Sequence, residues 1–183
     1  MSKVYAFLAD GFEETEAVAV IDILLRAEIP TKIVSVMDDI CVTGSHGIKI
    51  CADVMFEDID FSNGEMLFLP GGMPGKINLQ EYEPLGKLLQ DFNSEGKKIA
   101  AICAAPGILG RLNILNGKTA TCFPGFEQEL VGARISNEKV VVSKNIITGR
   151  GMGAAIEMGL AIVSILKDKE TAEKIGRSIQ FFI

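Results

Sequence analysis

Short, nearly unbroken apolar runs recur along the chain at residues 4–9 (VYAFLA), 66–69 (MLFL), 99–102 (IAAI) and 146–148 (IIT). A run without polar alternation marks a strand buried on both faces of a parallel sheet. Residues 31–36 (TKIVSV) read as a further strand. Between the runs, apolar positions fall at helical spacing. Ala17, Ile21, Leu24 and Leu25 follow Glu13-Glu14-Thr15-Glu16, and Leu85, Leu88, Leu89 and Phe92 run up to Gly96. Ile156, Gly159, Leu160, Val163 and Leu166 line a helix over about 154–167, and a last helix spans about 169–178. Weaker signals predict a hairpin of 41–43 with 48–51 around Gly44-Ser-His-Gly47. They also predict a strand over 118–122 and a second hairpin of 133–136 with 140–143 around Asn137-Glu138. Buried strands alternating with amphipathic helices predict an α/β fold: a doubly wound, mostly parallel sheet with helices on both faces. Without repeats or linkers, 1–183 reads as a single domain.

Composition narrows the classes. Of 183 residues, 48% are hydrophobic and the net charge is -6, with no basic cluster beyond Lys97-Lys98. A nucleic-acid or anionic-membrane surface is therefore not expected. No apolar run approaches the ~18 residues of a membrane span, and the first residues lack a signal peptide's apolar core, so a cytoplasmic location is expected. Cys41, Cys51, Cys103 and Cys122 form no C-x-x-C pair and are expected as free thiols in a reducing compartment. With one histidine and scattered cysteines, no metal site is expected.

The chemistry gathers at strand ends. Cys103 directly follows the 99–102 run, and Ala104-Ala-Pro-Gly-Ile-Leu opens a helix with Pro106 in its first turn. A thiol in such an elbow emerges at the carboxyl edge of the sheet and faces free helix N–H groups, which favours thiolate. The plain alternative is a cysteine packed as a small hydrophobe. Three acids, Glu13, Glu14 and Glu16, suit a helix dipole, but they lie at the same edge, where one can face the thiol. Gly71 and Gly72 after the 66–69 strand serve either as turn punctuation or as oxyanion donors. Gly149-Arg150 ends a further strand. His46, in the first hairpin turn, reads as solvated rather than catalytic.

The segments ADGFEETEAV, FLPGGMPG, AAICAAPGIL and ITGRGMG are similar in order and spacing to the ThiJ/PfpI family. The resemblance covers essentially the whole chain and implies a flavodoxin-like fold and a homodimer. By motif position, Cys103 resembles the reactive cysteine and Glu16 the glutamate that hydrogen-bonds it. Gly71 and Gly72 resemble the oxyanion-pocket glycines, with the Ala104 N–H as a further donor. Arg150 resembles an arginine near the pocket, and Arg26 one near the dimer interface. A carboxyl donating to a thiolate lowers the thiol and raises itself. Two positions depart from the pattern. Ala104 stands where protease-like members carry histidine, and Phe123 precedes Pro124 where many relatives have histidine. No Cys–His dyad is expected, which argues against proteolysis.

Three functions follow from the resemblance. The first is a cysteine-dependent, cofactor-free glyoxalase or deglycase acting on small reactive carbonyls or glycated protein. The second is a thiol redox sensor or stress chaperone without turnover. The third, weaker, is a cysteine amidohydrolase.

Overall fold

The structure, a computed structural model, describes residues 3–181; the first two and last two residues of the expected 1–183 domain lie outside the described ones. In chain order the elements are β1 (Val4–Leu8), α1 (Glu14–Arg26), β2 (Thr31–Ser35), β3 (Cys41–Thr43), β4 (Lys49–Cys51), β5 (Val54–Met55), β6 (Met66–Leu69), α2 (Gly75–Glu81) and α3 (Glu83–Ser94). They continue with β7 (Lys98–Ile102), α4 (Pro106–Arg111), β8 (Thr119–Ala120), β9 (Arg134–Ile135), β10 (Val140–Ser143), β11 (Ile146–Gly149), α5 (Ala155–Leu166) and α6 (Lys169–Ser178).

Among the described residues, seven strands form the main sheet in the order β10-β11-β7-β6-β1-β2-β5. Every neighbouring pair is parallel except β10 with β11. β1 lies between β2 and β6, with Val4 opposite both Thr31 and Met66. Strand order therefore reverses between β1 and β6, the flavodoxin-like switch point at whose carboxyl edge ligands bind.

The apolar runs are continuous because alternate residues feed two cores. Ala6, Leu8, Phe68 and Ile102 face α1 and α5, where Val20, Leu24, Met158 and Ile162 cover them. Tyr5, Phe7, Leu67, Leu69 and Ala101 face the other way, onto Leu79, Leu85, Leu89, Phe92, Ile108 and Leu109 of α2, α3 and α4. Leu8, Phe7, Phe68 and Leu69 have no solvent exposure.

Three local expectations are corrected. Residues 133–136 and 140–143 do not pair as a hairpin. β9 lies parallel to the short β8, with Thr119 opposite Arg134. β10 instead turns through Lys144, at φ +56°, and β11 runs back antiparallel on it, so that β10 forms one edge of the main sheet. The strand expected over 118–122 is confined to Thr119–Ala120. Finally, Cys41 and Cys51 are not free: they face each other across β3 and β4 and form a disulfide.

Candidate active site

β7 delivers Cys103 to the switch point. Its backbone sits at φ +65°, in the left-handed region that non-glycine residues rarely enter. Two neighbours hold it there. The Cys103 N–H donates to the Gly149 carbonyl at 2.9 Å, and its carbonyl accepts from the Phe123 N–H at 2.8 Å. α4 then begins with Pro106 at its first position, where a missing N–H is harmless. The side chain is left half-buried.

Glu16 approaches from α1. It has no solvent exposure, and its Oε2 accepts the Gly71 N–H at 2.9 Å. Its Oε1 is buried and takes no hydrogen bond of ordinary geometry, yet carboxyl and thiol lie close enough to titrate against one another. Gly71 must be glycine: a Cβ there would lie 2.5 Å from Cys103 Cβ and 2.7 Å from Glu16 Oε2. The Gly72 and Ala104 amides face the sulfur. Of the sequence-derived donors, then, Gly72 and Ala104 point at the thiol, while the Gly71 amide is committed to Glu16.

The titration order differs from the expected one. Burial pushes Glu16 up to about 7, against the hydrogen bonds of Cys103 and Gly71. Burial also pushes Cys103 up to about 12, and the Glu16 charge and hydrogen bond add to it. The Ala104 and Gly72 amides pull the other way and lose. The thiol is thus not lowered by its elbow; desolvation and a neighbouring carboxylate outweigh two amides and a helix of six residues. What the site offers is a base poised near neutrality beside a protonated thiol.

The acids at the start of α1 divide their work. Glu13 caps the helix, accepting the Glu16 N–H at 2.6 Å. Glu14 is buried and clamps the β3–β4 turn, accepting from the His46 N–H at 2.7 Å and the Ser45 hydroxyl at 3.2 Å. Its Oε2 also lies 3.0 Å from His46 Nδ1. Burial opposes ionisation, but the His46 side chain and the His46 and Ile48 amides together hold Glu14 down at about 2. His46 therefore braces a turn, and no Cys–His pair forms. Donor atoms of Glu13, Glu14 and His46 lie within 4.8 Å of one another, but the Glu14 oxygens are occupied by this turn.

The Arg150 guanidinium is engaged by Asn137, its Nη1 donating to Asn137 Oδ1 at 3.1 Å. Cys122 is 2% exposed, and burial pushes it up to about 11. Phe123, in the position where the family histidine is missing, is exposed and lies over Gly151. Arg26 pairs with Asp22 on the outer face of α1. The sequence reading left Cys41 and Cys51 unpaired, although a signal existed: they stand at the outer ends of the two strands of the predicted hairpin, which the observed register sets opposite one another.

A doubly wound sheet with a cysteine elbow at its switch point defines a flavodoxin-like α/β protein. The sequence pattern of the DJ-1/PfpI family matches residues 2–165, and the chain belongs to that family. It is 37% identical over 176 residues to the DJ-1 homolog B of Arabidopsis thaliana, covering 95% of this chain and 40% of that protein. It likewise spans 44% of the Arabidopsis DJ-1 homolog A, less than half the length of these two curated relatives. It is 32% identical to the dj-1beta protein of Drosophila melanogaster, over 98% of this chain and 97% of that one. A deglycase of Pyrococcus abyssi is 29% identical over 90% of this chain and 99% of its own. Among solved structures, an oxidized Toxoplasma gondii DJ-1 superposes with a TM-score of 0.96 at 33% identity, with both chains fully covered.

Proposed function

We propose that the chain is a cysteine-dependent, cofactor-free enzyme of reactive dicarbonyls, with Cys103 as nucleophile and Glu16 as the acid and base. The observation that carries this reading is the fully buried Glu16 carboxyl, held by Gly71 beside Cys103 and titrating near 7. A general base works best when its pKa lies near the operating pH. The kinship with a protein named as a deglycase supports the same chemistry.

On methylglyoxal, the Glu16 carboxylate takes the Cys103 proton as sulfur bonds to the aldehyde carbon. The new oxyanion lies against the Gly72 and Ala104 amides and receives that proton, giving a hemithioacetal. Glu16 then removes the hydrogen from the carbon bonded to sulfur and returns it to the neighbouring carbon, while the hemithioacetal hydroxyl proton passes to the neighbouring oxygen through the enediol. The result is a thioester of lactate. Water cleaves it, freeing lactate and the thiol, so methylglyoxal and one water give one lactic acid with no net redox change. A glycated protein adduct would enter as a source of the same dicarbonyl. Arg150 is assigned a supporting role at the rim, and the chain is proposed to act as a single cytoplasmic domain in a homodimer. Among the described residues no helix is long and apolar enough to cross a membrane.

A second reading draws on the likeness to an oxidized DJ-1. Here Cys103 is a redox sensor, and a protonated Glu16 hydrogen-bonds the sulfinate that peroxide leaves on it. Lactate production from methylglyoxal without glutathione, comparing wild type with Cys103→Ser, tests the enzyme reading. Turnover that depends on Cys103 supports it. No turnover, with Cys103 still oxidised first, favours the sensor.

A further inference from the structure

The two amides facing the Cys103 sulfur belong to different loops, Gly72 to the β6–α2 connection and Ala104 to the β7–α4 connection. Each is anchored on its carbonyl side. The Lys76 N–H donates to the Gly72 carbonyl at 2.9 Å, and the Gly107 N–H donates to the Ala104 carbonyl at 3.1 Å. The Lys76 side chain then reaches the segment after β8, which packs on α4. Only 4% of this residue is exposed, and its Nζ donates to Glu129 Oε2 at 2.5 Å. Glu129 in turn lies flat on α4. A Cβ on Gly107 would come within 2.7 Å of its carboxylate, and one on Gly110 would run into its carbonyl.

Gly72, Lys76, Glu129, Gly107 and Ala104 thus form one connected path from one sulfur-facing amide to the other. We propose that Lys76 and Glu129 are a positioning pair that fixes the separation of the Gly72 and Ala104 amides, and so tunes the anion pocket at Cys103. The inference rests on the reading of that pocket as the place where thiolate and oxyanion are held. An ion pair with a buried lysine adds little net stability over packed apolar side chains of similar size, but leaving that lysine without its partner is costly. Its effect here is geometric: two loops that share no backbone hydrogen bonds at these amides are tied at a set distance. Neither residue touches substrate in this arrangement.

The test reads the rate of Cys103 alkylation by iodoacetamide against pH, by peptide mass, in wild type, Lys76→Met, Glu129→Gln and the double variant Lys76→Met/Glu129→Met. The double variant replaces the ion pair with apolar volume. If the pair only fills space, the double variant returns to the wild-type rate. If it positions the amides, the double variant folds yet alkylates about tenfold more slowly near neutral pH, less than the loss on removing an oxyanion donor outright. Its methylglyoxal kcat falls with KM unchanged. Wild-type alkylation in a folded double variant overturns the proposal. Should that variant fail to fold, Glu129→Gln, at a partly exposed position, decides in the same way: slowed alkylation supports positioning and an unchanged rate overturns it. Slowed alkylation with no wild-type turnover keeps the positioning pair and removes the enzyme reading. Wild-type turnover with an unaltered double variant does the reverse.

Discussion

The Gly71 N–H holds the Oε2 of Glu16 at 2.9 Å, and the Gly71 Cα lies so close to Cys103 that no side chain fits between them. One glycine thus sets both the orientation of the acid and its distance from the thiol. β1 leads into α1 and Glu16, Gly71 follows two residues after the end of β6, and Cys103 directly follows β7. The reversal of strand order between β1 and β6 is what brings the three together.

Glu16→Gln is expected to make the Cys103 thiol easier to ionise. The carboxylate charge helps push Cys103 up to about 12. Its removal is expected to lower the pH midpoint of Cys103 alkylation by about one unit or more. A thiol that reacts no more readily in the variant would remove the electrostatic link between the two residues.

The same carboxyl makes stability depend on pH. Its folded pKa of about 7 lies above the ordinary 4.5, so the native state binds more protons than the unfolded one between those values. Stability therefore falls as pH rises through that window, by about 3 kcal/mol in all. Urea unfolding of wild type and Glu16→Gln at pH 5 and pH 8 measures it. The wild type is expected to lose ground to the variant at the higher pH, and equal slopes would contradict the burial argument.

Glu14 works in the other direction. Held at about 2 by the β3–β4 turn, it contributes stability above pH 4.5 that is lost as pH falls toward 2. Glu14→Gln is expected to cost about 2 kcal/mol at pH 7 and little near pH 2. A variant whose deficit stays constant across that range would show that the carboxylate charge is not what holds the turn.

Reduction of the Cys41–Cys51 bond is expected to destabilise the chain. The two cysteines are separated by 10 residues in sequence, and closing a loop of that size is worth about 3 kcal/mol by chain entropy. Cys41→Ser/Cys51→Ser gives the same measurement without reductant. A peptide map under non-reducing conditions is expected to join 41 to 51 and leave Cys103 and Cys122 free.

Much of this architecture was legible because parallel strands buried on both faces leave unbroken apolar runs, as at 66–69 and 99–102. The elbow at Cys103 was legible because Pro106 can only open a helix there. The β8–β9 pairing was not: two-residue strands on a partly exposed flank carry no periodicity, and Asn137-Glu138 mimics a hairpin turn. The sign of the Cys103 shift also escaped, since burial of Glu16 is a tertiary fact. The Lys76–Glu129 contact joins residues 53 apart in sequence, and no local pattern encodes it.

The most direct measurement is the pH dependence of kcat/KM for lactate formation from methylglyoxal. With Glu16 as the base, the rate is expected to rise through a midpoint near 7 and to fall by about two orders of magnitude or more in Glu16→Gln at every pH. Cysteine-dependent turnover that is flat across that midpoint, or that survives Glu16→Gln, would contradict the pairing of these two residues as the catalytic unit.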